Sequence, residues 1–107
     1  YGMTVNSFSA VSLDPPLVLW SVARSAQRFA VFTGAAHFAI HVLGQHDADL
    51  VPRFARGGHG WEGTAPARNA EGVPVFGRAL ARFDCARDAL HDGGDHVIVV
   101  GRVLRFT

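Results

Sequence analysis

The chain has no lysine, a single cysteine and no long apolar run. A lone Cys85 forbids an internal disulfide, which fits a reducing, cytoplasmic setting. No stretch approaches the ~18–20 apolar residues of a membrane span, and no signal peptide is visible, so no membrane association is expected. The net charge is only +1, with acids and arginines interspersed and no basic stripe, which argues against nucleic acid as a partner. All ten basic residues are arginine. GC-rich coding or selection for planar, bidentate anion contacts would each produce that. Any phosphate site in this chain must therefore use arginine, hydroxyls or backbone N–H groups.

What is present describes an ordinary globule. With 107 residues, 49% hydrophobic and 18% charged, residues 1–107 form one domain with a single core. Residues 2–13 read as a strand, with Met3, Val5 and Ser7 on one side and Thr4, Asn6 and Phe8 on the other. Pro15 and Pro16 close it, and Leu17–Val22 is a short apolar run typical of a buried strand. Ser25 is placed to cap a helix running to Gly34. Phe38–Leu43 is the next strand, and Asp47 opens a short helix to about Ala55. Residues 56–74 read as loop, Val75–Ala86 as a strand and Asp92–Asp95 as a tight turn. His96–Leu104 is the most strand-like segment of all. Many short strands joined mostly by tight connections predict a mainly β fold, a small barrel with short helical connections.

Three apparent motifs dissolve on inspection. Gly58-His59-Gly60-Trp61-Glu62-Gly63 is a literal G-x-G-x-x-G, but a dinucleotide fingerprint needs a strand before it and a helix after it. With 12 glycines in the chain, this one reads as a loop. His37 and His41 would share a metal on a helix. On a strand they stand roughly 13 Å apart, so no metal site is expected. Cys85 sits in an apolar alternation and reads as an inert thiol.

The stretch Thr4–Ser12 is different, because it places a threonine, an asparagine and three serines in a strand. Its hydroxyls face either solvent or a ligand. In the ligand reading Ser9 and Ser12 hold a phosphate, helped by Arg24, Ser25 and Arg28 at a helix start, while the backbone of Thr4, Val5, Asn6 and Ser7 lies against the edge of a planar ring. Gly94-Asp95-His96 is either a turn that Asp95 caps or a histidine presented to a substrate.

Taken in order, Gly2–Leu17, Phe38–Leu43, Gly94-Asp95-His96 and Gly101-Arg102-Val103 resemble the flavin reductase family. The resemblance implies an FMN-binding split β-barrel of the Greek-key type with about six strands. It also implies a homodimer and an NAD(P)H:flavin oxidoreductase that passes reduced FMN or FAD to a partner monooxygenase. A flavin carrier without turnover is the alternative. By position, Thr4–Ser7 would border the isoalloxazine ring and Ser12 with the Arg24-Ser25 turn would approach the ribityl phosphate. His96 would stand by the nicotinamide of NADH or NADPH as the catalytic side chain. Members of the family have further sequence at both ends, so the domain is expected to be incomplete there. His41 stands where they usually have asparagine.

Overall fold

In the computed structural model, residues 8–47, 49, 67–76 and 79–107 are described. Their framework is a five-stranded antiparallel sheet in the order β1-β2-β7-β6-β3. The strands are β1 (Ser9–Leu13), β2 (Pro16–Ala23), β3 (His37–Val42), β6 (Ala81–Gly93) and β7 (His96–Phe106). A separate two-stranded hairpin is made by β4 (Ala67–Arg68) and β5 (Pro74–Val75). The helix α1 (Phe29–Gly34) connects β2 to β3, carrying the chain from one side of the β6–β7 pair to the other.

Side chains alternate between faces along a strand, and paired residues share a face. The inner face is apolar: Trp20, Val22, Val97 and Val99 form its buried cluster, with Phe8, Ala26, Phe29, Phe32, Phe38 and Ile40 packed around it. Trp20 meets the edges of Phe32 and Phe38 at centroid distances of 6.0 and 6.2 Å. Helix α1 therefore exists to roof this face. Six residues with no acidic first turn and no side-chain cap do not make a stable helix alone, so burial of Phe29 and Phe32 must hold it. Gly101 is required where Phe38 crosses β7, because a Cβ there would lie 2.4 Å from Phe38 Cζ.

Several expectations are corrected. The helix begins at Phe29 with Arg28 as its cap residue, not at Ser25. Two turns occupy the intervening residues, Ala26 N–H donating to Ala23 O and Phe29 N–H to Ala26 O. Asp47 ends a single 3₁₀ turn, Gln45–Asp47, rather than opening a helix, and its carboxylate accepts the Gly44 N–H. Of the remainder of that expected helix only Asp49 is described, in a turn; its other residues and residues 56–66 lie outside the described residues, as do Thr4–Ser7 and the Gly58–Gly63 motif. Part of the expected loop is the β4–β5 hairpin, whose turn Asn69 builds by accepting the N–H groups of Glu71 and Val73. The expected strand Val75–Ala86 is two elements, β5 ending at Val75 and β6 starting at Ala81 and running on to Gly93. The tight turn is as expected, with Gly94 at φ +76°.

Candidate functional site

The outer face of the sheet is where the candidate residues gather. A bulge between Ala10 and Ser12 resets β1, so that Ser9 pairs with Leu19 and Ser12 with Leu17. Both serines therefore share the face of Leu17 and Leu19, opposite the core. Continuing across β2 into β7, Leu17 pairs with Arg102, Leu19 with Val100, Ser21 with Ile98 and Ala23 with His96. The result is a strip with two hydroxyls and a guanidinium at one end, leucine, valine and isoleucine in the middle, and an imidazole at the other end.

This register separates residues that the sequence reading joined. Ser12 lies opposite Leu17, whereas Arg24 follows Ala23, at the far end of β2. Six residues of strand put those ends roughly 20 Å apart. Ser12 and the Arg24-Ser25 turn therefore cannot share one phosphate. The cation that does stand near Ser12 is Arg102, two strand spacings or about 10 Å away across Leu17. In contrast to Arg24, Arg68, Arg82, Arg87 and Arg105, it makes neither an ion pair nor a side-chain hydrogen bond among the described residues. Arg102 falls inside the Gly101-Arg102-Val103 motif, but only strand register shows that it shares a face with Ser9 and Ser12.

At the other end, the β6–β7 turn is tightly tied. Arg24 donates from Nε to Gly94 O at 2.9 Å and from an Nη to Asp92 Oδ1 at 2.6 Å, and its backbone N–H donates to Asp95 O at 2.8 Å. The turn is capped by Asp92, not Asp95, with Gly94 N–H donating to Asp92 Oδ1. Asp95 instead lies 2.8 Å from Nδ1 of His96. The Arg24 hydrogen bond holds the Asp92 carboxyl below the usual carboxylate range, and the His96 hydrogen bond does the same for Asp95. With Nδ1 so engaged, Nε2 is the ring nitrogen left to meet a ligand. Ser25 is exposed in the turn beyond Arg24, and half-buried Arg28 precedes α1.

The same face carries a charge network under the β4–β5 hairpin. Asp84 is 1% exposed and lies 2.9 Å from Arg82 Nε and 3.3 Å from Arg105 Nε, while Arg105 also pairs with Glu71 of the hairpin. Beside it, His41 Nε2 accepts the Phe76 N–H at 3.1 Å. Burial and then the Arg82 charge push the His41 pKa down, against a smaller opposing pull from Asp84. Cys85 is buried on the inner face, where burial raises its thiol to about 12 and leaves it unreactive. No helix among the described residues is long and apolar enough to cross a membrane.

Comparison with known proteins agrees with this architecture. The chain is 57% identical over 104 residues to the FMN reductase (NADH) SmoA of Agrobacterium fabrum, a match spanning 97% of this chain and 60% of that protein. It is 37% identical to the reductase component of a flavin-dependent trigonelline monooxygenase of Acinetobacter baylyi, over 99% of this chain and 34% of that protein. Among solved structures, the NADH:FAD oxidoreductase SgcE6 of Streptomyces globisporus superposes with a TM-score of 0.88 at 35% identity, covering 98% of this chain and 66% of that one. The chain thus spans between about a third and 60% of the length of these curated relatives. The family model for the flavin reductase like domain matches residues 1–107, so the chain belongs to the flavin reductase family and has its split-barrel fold.

Proposed function

We propose that the protein containing this domain is an NADH-dependent flavin reductase that uses FMN and supplies reduced flavin to a monooxygenase. The observation that carries this is the outer strip itself: paired hydroxyls and an uncommitted guanidinium at one end, apolar side chains between, and an oriented imidazole at the other. That donor set fits a flavin nucleotide laid along β2. When bound, the flavin and nicotinamide supply the hydride chemistry, from nicotinamide C4 to flavin N5.

The protein's own residues bind and orient. Ser9, Ser12 and Arg102 take the phosphate, a charge-assisted contact the lysine-free chain must make with arginine. Leu19 and Ile98 give the middle of the ligand an apolar floor. Thr4, Val5, Asn6 and Ser7 border the ring. Ser25 and Arg28, both beyond the end of β2, serve the cofactors from the opposite end, and His96 donates a hydrogen bond at the nicotinamide. FMN and NADH are preferred over FAD and NADPH because SmoA, at 57% identity, is named for that pair. A homodimer is supported by outward apolar side chains such as Leu13 and Phe106, 93% and 63% exposed. The single free, buried thiol supports cytoplasmic residence.

The test is whether the intact protein, mixed with FMN and NADH, bleaches the flavin absorbance faster than the reagents do alone. Ser12→Ala and Arg102→Ala are each expected to weaken FMN binding about tenfold, the order of one charge-assisted hydrogen bond. Tight flavin binding with NADH consumption at background would instead identify a carrier, and unchanged FMN affinity in both variants would remove the phosphate assignment.

A further inference from the structure

The Arg24 side chain invites an anion, yet its geometry serves another purpose. Its Nε and one Nη grip the two sides of the β6–β7 turn, Gly94 O and Asp92 Oδ1, and its backbone N–H takes a third point, Asp95 O. Asp92 is held from two directions, by Arg24 and by the Gly94 N–H. The turn so braced leads directly into His96, whose Nδ1 is engaged by Asp95. His96 pairs with Ala23, the residue before Arg24, so the brace spans the end of β2 and both flanks of the turn. Gly94, at φ +76°, gives the turn its shape and brings no side chain, so the turn is anchored through its backbone by Arg24 and Asp92.

We propose that Arg24 and Asp92 are a positioning pair, which fixes the Gly94-Asp95 turn and thereby sets where His96 stands toward the nicotinamide. Arg24 then acts on the approach of NADH and not on the flavin phosphate, from whose Ser9–Ser12 end β2 separates it. The role rests on the reductase reading of His96. Lysine cannot replace arginine here, since a single ammonium does not reach a carbonyl and a carboxylate in this fork arrangement. The pair is largely exposed, with side chains 47% and 77% accessible, so its contribution to global stability is small. Its effect should instead be local, on the placement of one imidazole.

The experiment compares Arg24→Ala, Asp92→Ala, the double variant and Arg24→Lys in the intact protein. Each alanine variant is expected to raise KM for NADH or lower the flavin reduction rate by about tenfold, the scale on which misplacing a reacting group is felt. FMN affinity should stay within about twofold. The double variant should be no worse than either single one, because both remove the same brace, and Arg24→Lys should recover little. In parallel, the His96 imidazole resonances and their pH titration are followed by NMR, expected to move alike in both alanine variants. An Arg24→Ala variant that loses FMN affinity while Asp92→Ala is silent would overturn the proposal and return Arg24 to the phosphate. Additive losses, or an unmoved His96 titration, would overturn it too. Should the wild-type protein fail to reduce flavin at all, the functional reading falls, while the NMR comparison still decides whether the pair positions His96.

Discussion

The two faces of the sheet are stabilised in opposite ways. The inner face is held by shape: Trp20, Val22, Val97 and Val99 are buried against one another and against a ring of phenylalanines. The outer face is held by charge and hydrogen bonds, with a buried Asp84 between two guanidinium groups and a hairpin tied down by Arg105 and His41. Shape tolerates no added volume but is indifferent to pH. Charge tolerates volume but depends on every partner's protonation. A surface meant to receive a nucleotide needs the second construction, since an apolar face offers phosphate and ring edges nothing to bond.

The comparison breaks most readily from the inside. Gly101→Val should cause the largest loss, because even the Cβ would stand 2.4 Å from Phe38 Cζ and 3.1 Å from Cys85 Cβ. The cost is expected at or above the upper end of overpacking, about 3 kcal/mol. Denaturant unfolding of the intact protein measures it, and wild-type stability would mean that Phe38 does not cross β7 so closely. Asp84→Ala tests the outer face and should cost less, about 2–3 kcal/mol. Removing one partner of a buried ion pair leaves its cations uncompensated, but Arg82 and Arg105 are 25% and 42% exposed and regain water. Raising the salt should narrow the gap between wild type and this variant while leaving the Gly101→Val loss unaltered.

How much of each face was legible in the sequence follows from the same difference. Apolar runs announced β2 and β7, and tight connections announced the fold class, because burial leaves its mark on composition. The outer face was harder. Simple alternation puts Ser9 and Ser12 on opposite faces, and only the bulge at Ala10–Ser12 brings them together. The last seven residues of β6 include Arg87, Asp88, His91 and Asp92, a polar stretch without strand pattern that pairs because β7 lies beside it. Ser25 looked like a helix cap, but the N–H of the preceding Arg24 goes to Asp95 O across the sheet, and local turns delay the helix. Arg102 gains its meaning from residues ninety or more positions earlier, reached across β2.

The finest distinction between the faces is a proton. His41 accepts the Phe76 N–H through Nε2, so the folded state needs the neutral ring, and a protonated Nε2 would set one N–H against another. Burial and the neighbouring Arg82 charge both oppose protonation, and Asp84 only partly offsets them. The folded pKa therefore lies below the unfolded value, near 6.5 for an ordinary histidine. Below that value the unfolded chain takes up a proton that the folded one refuses, so stability falls as the pH drops from about 6.5 toward the folded pKa. His41→Asn keeps an acceptor for Phe76 and removes the titration. Thermal unfolding of the intact proteins at pH 7.5 and 5.5 should therefore show a larger drop in Tm for wild type than for the variant. Equal drops would place the pH sensitivity in the carboxylates. The hydrogen bond between His41 and Phe76 would then carry no pH dependence of its own, and the hairpin would be held by the Arg105–Glu71 pair, the His41–Phe76 ring contact and the buried Val75.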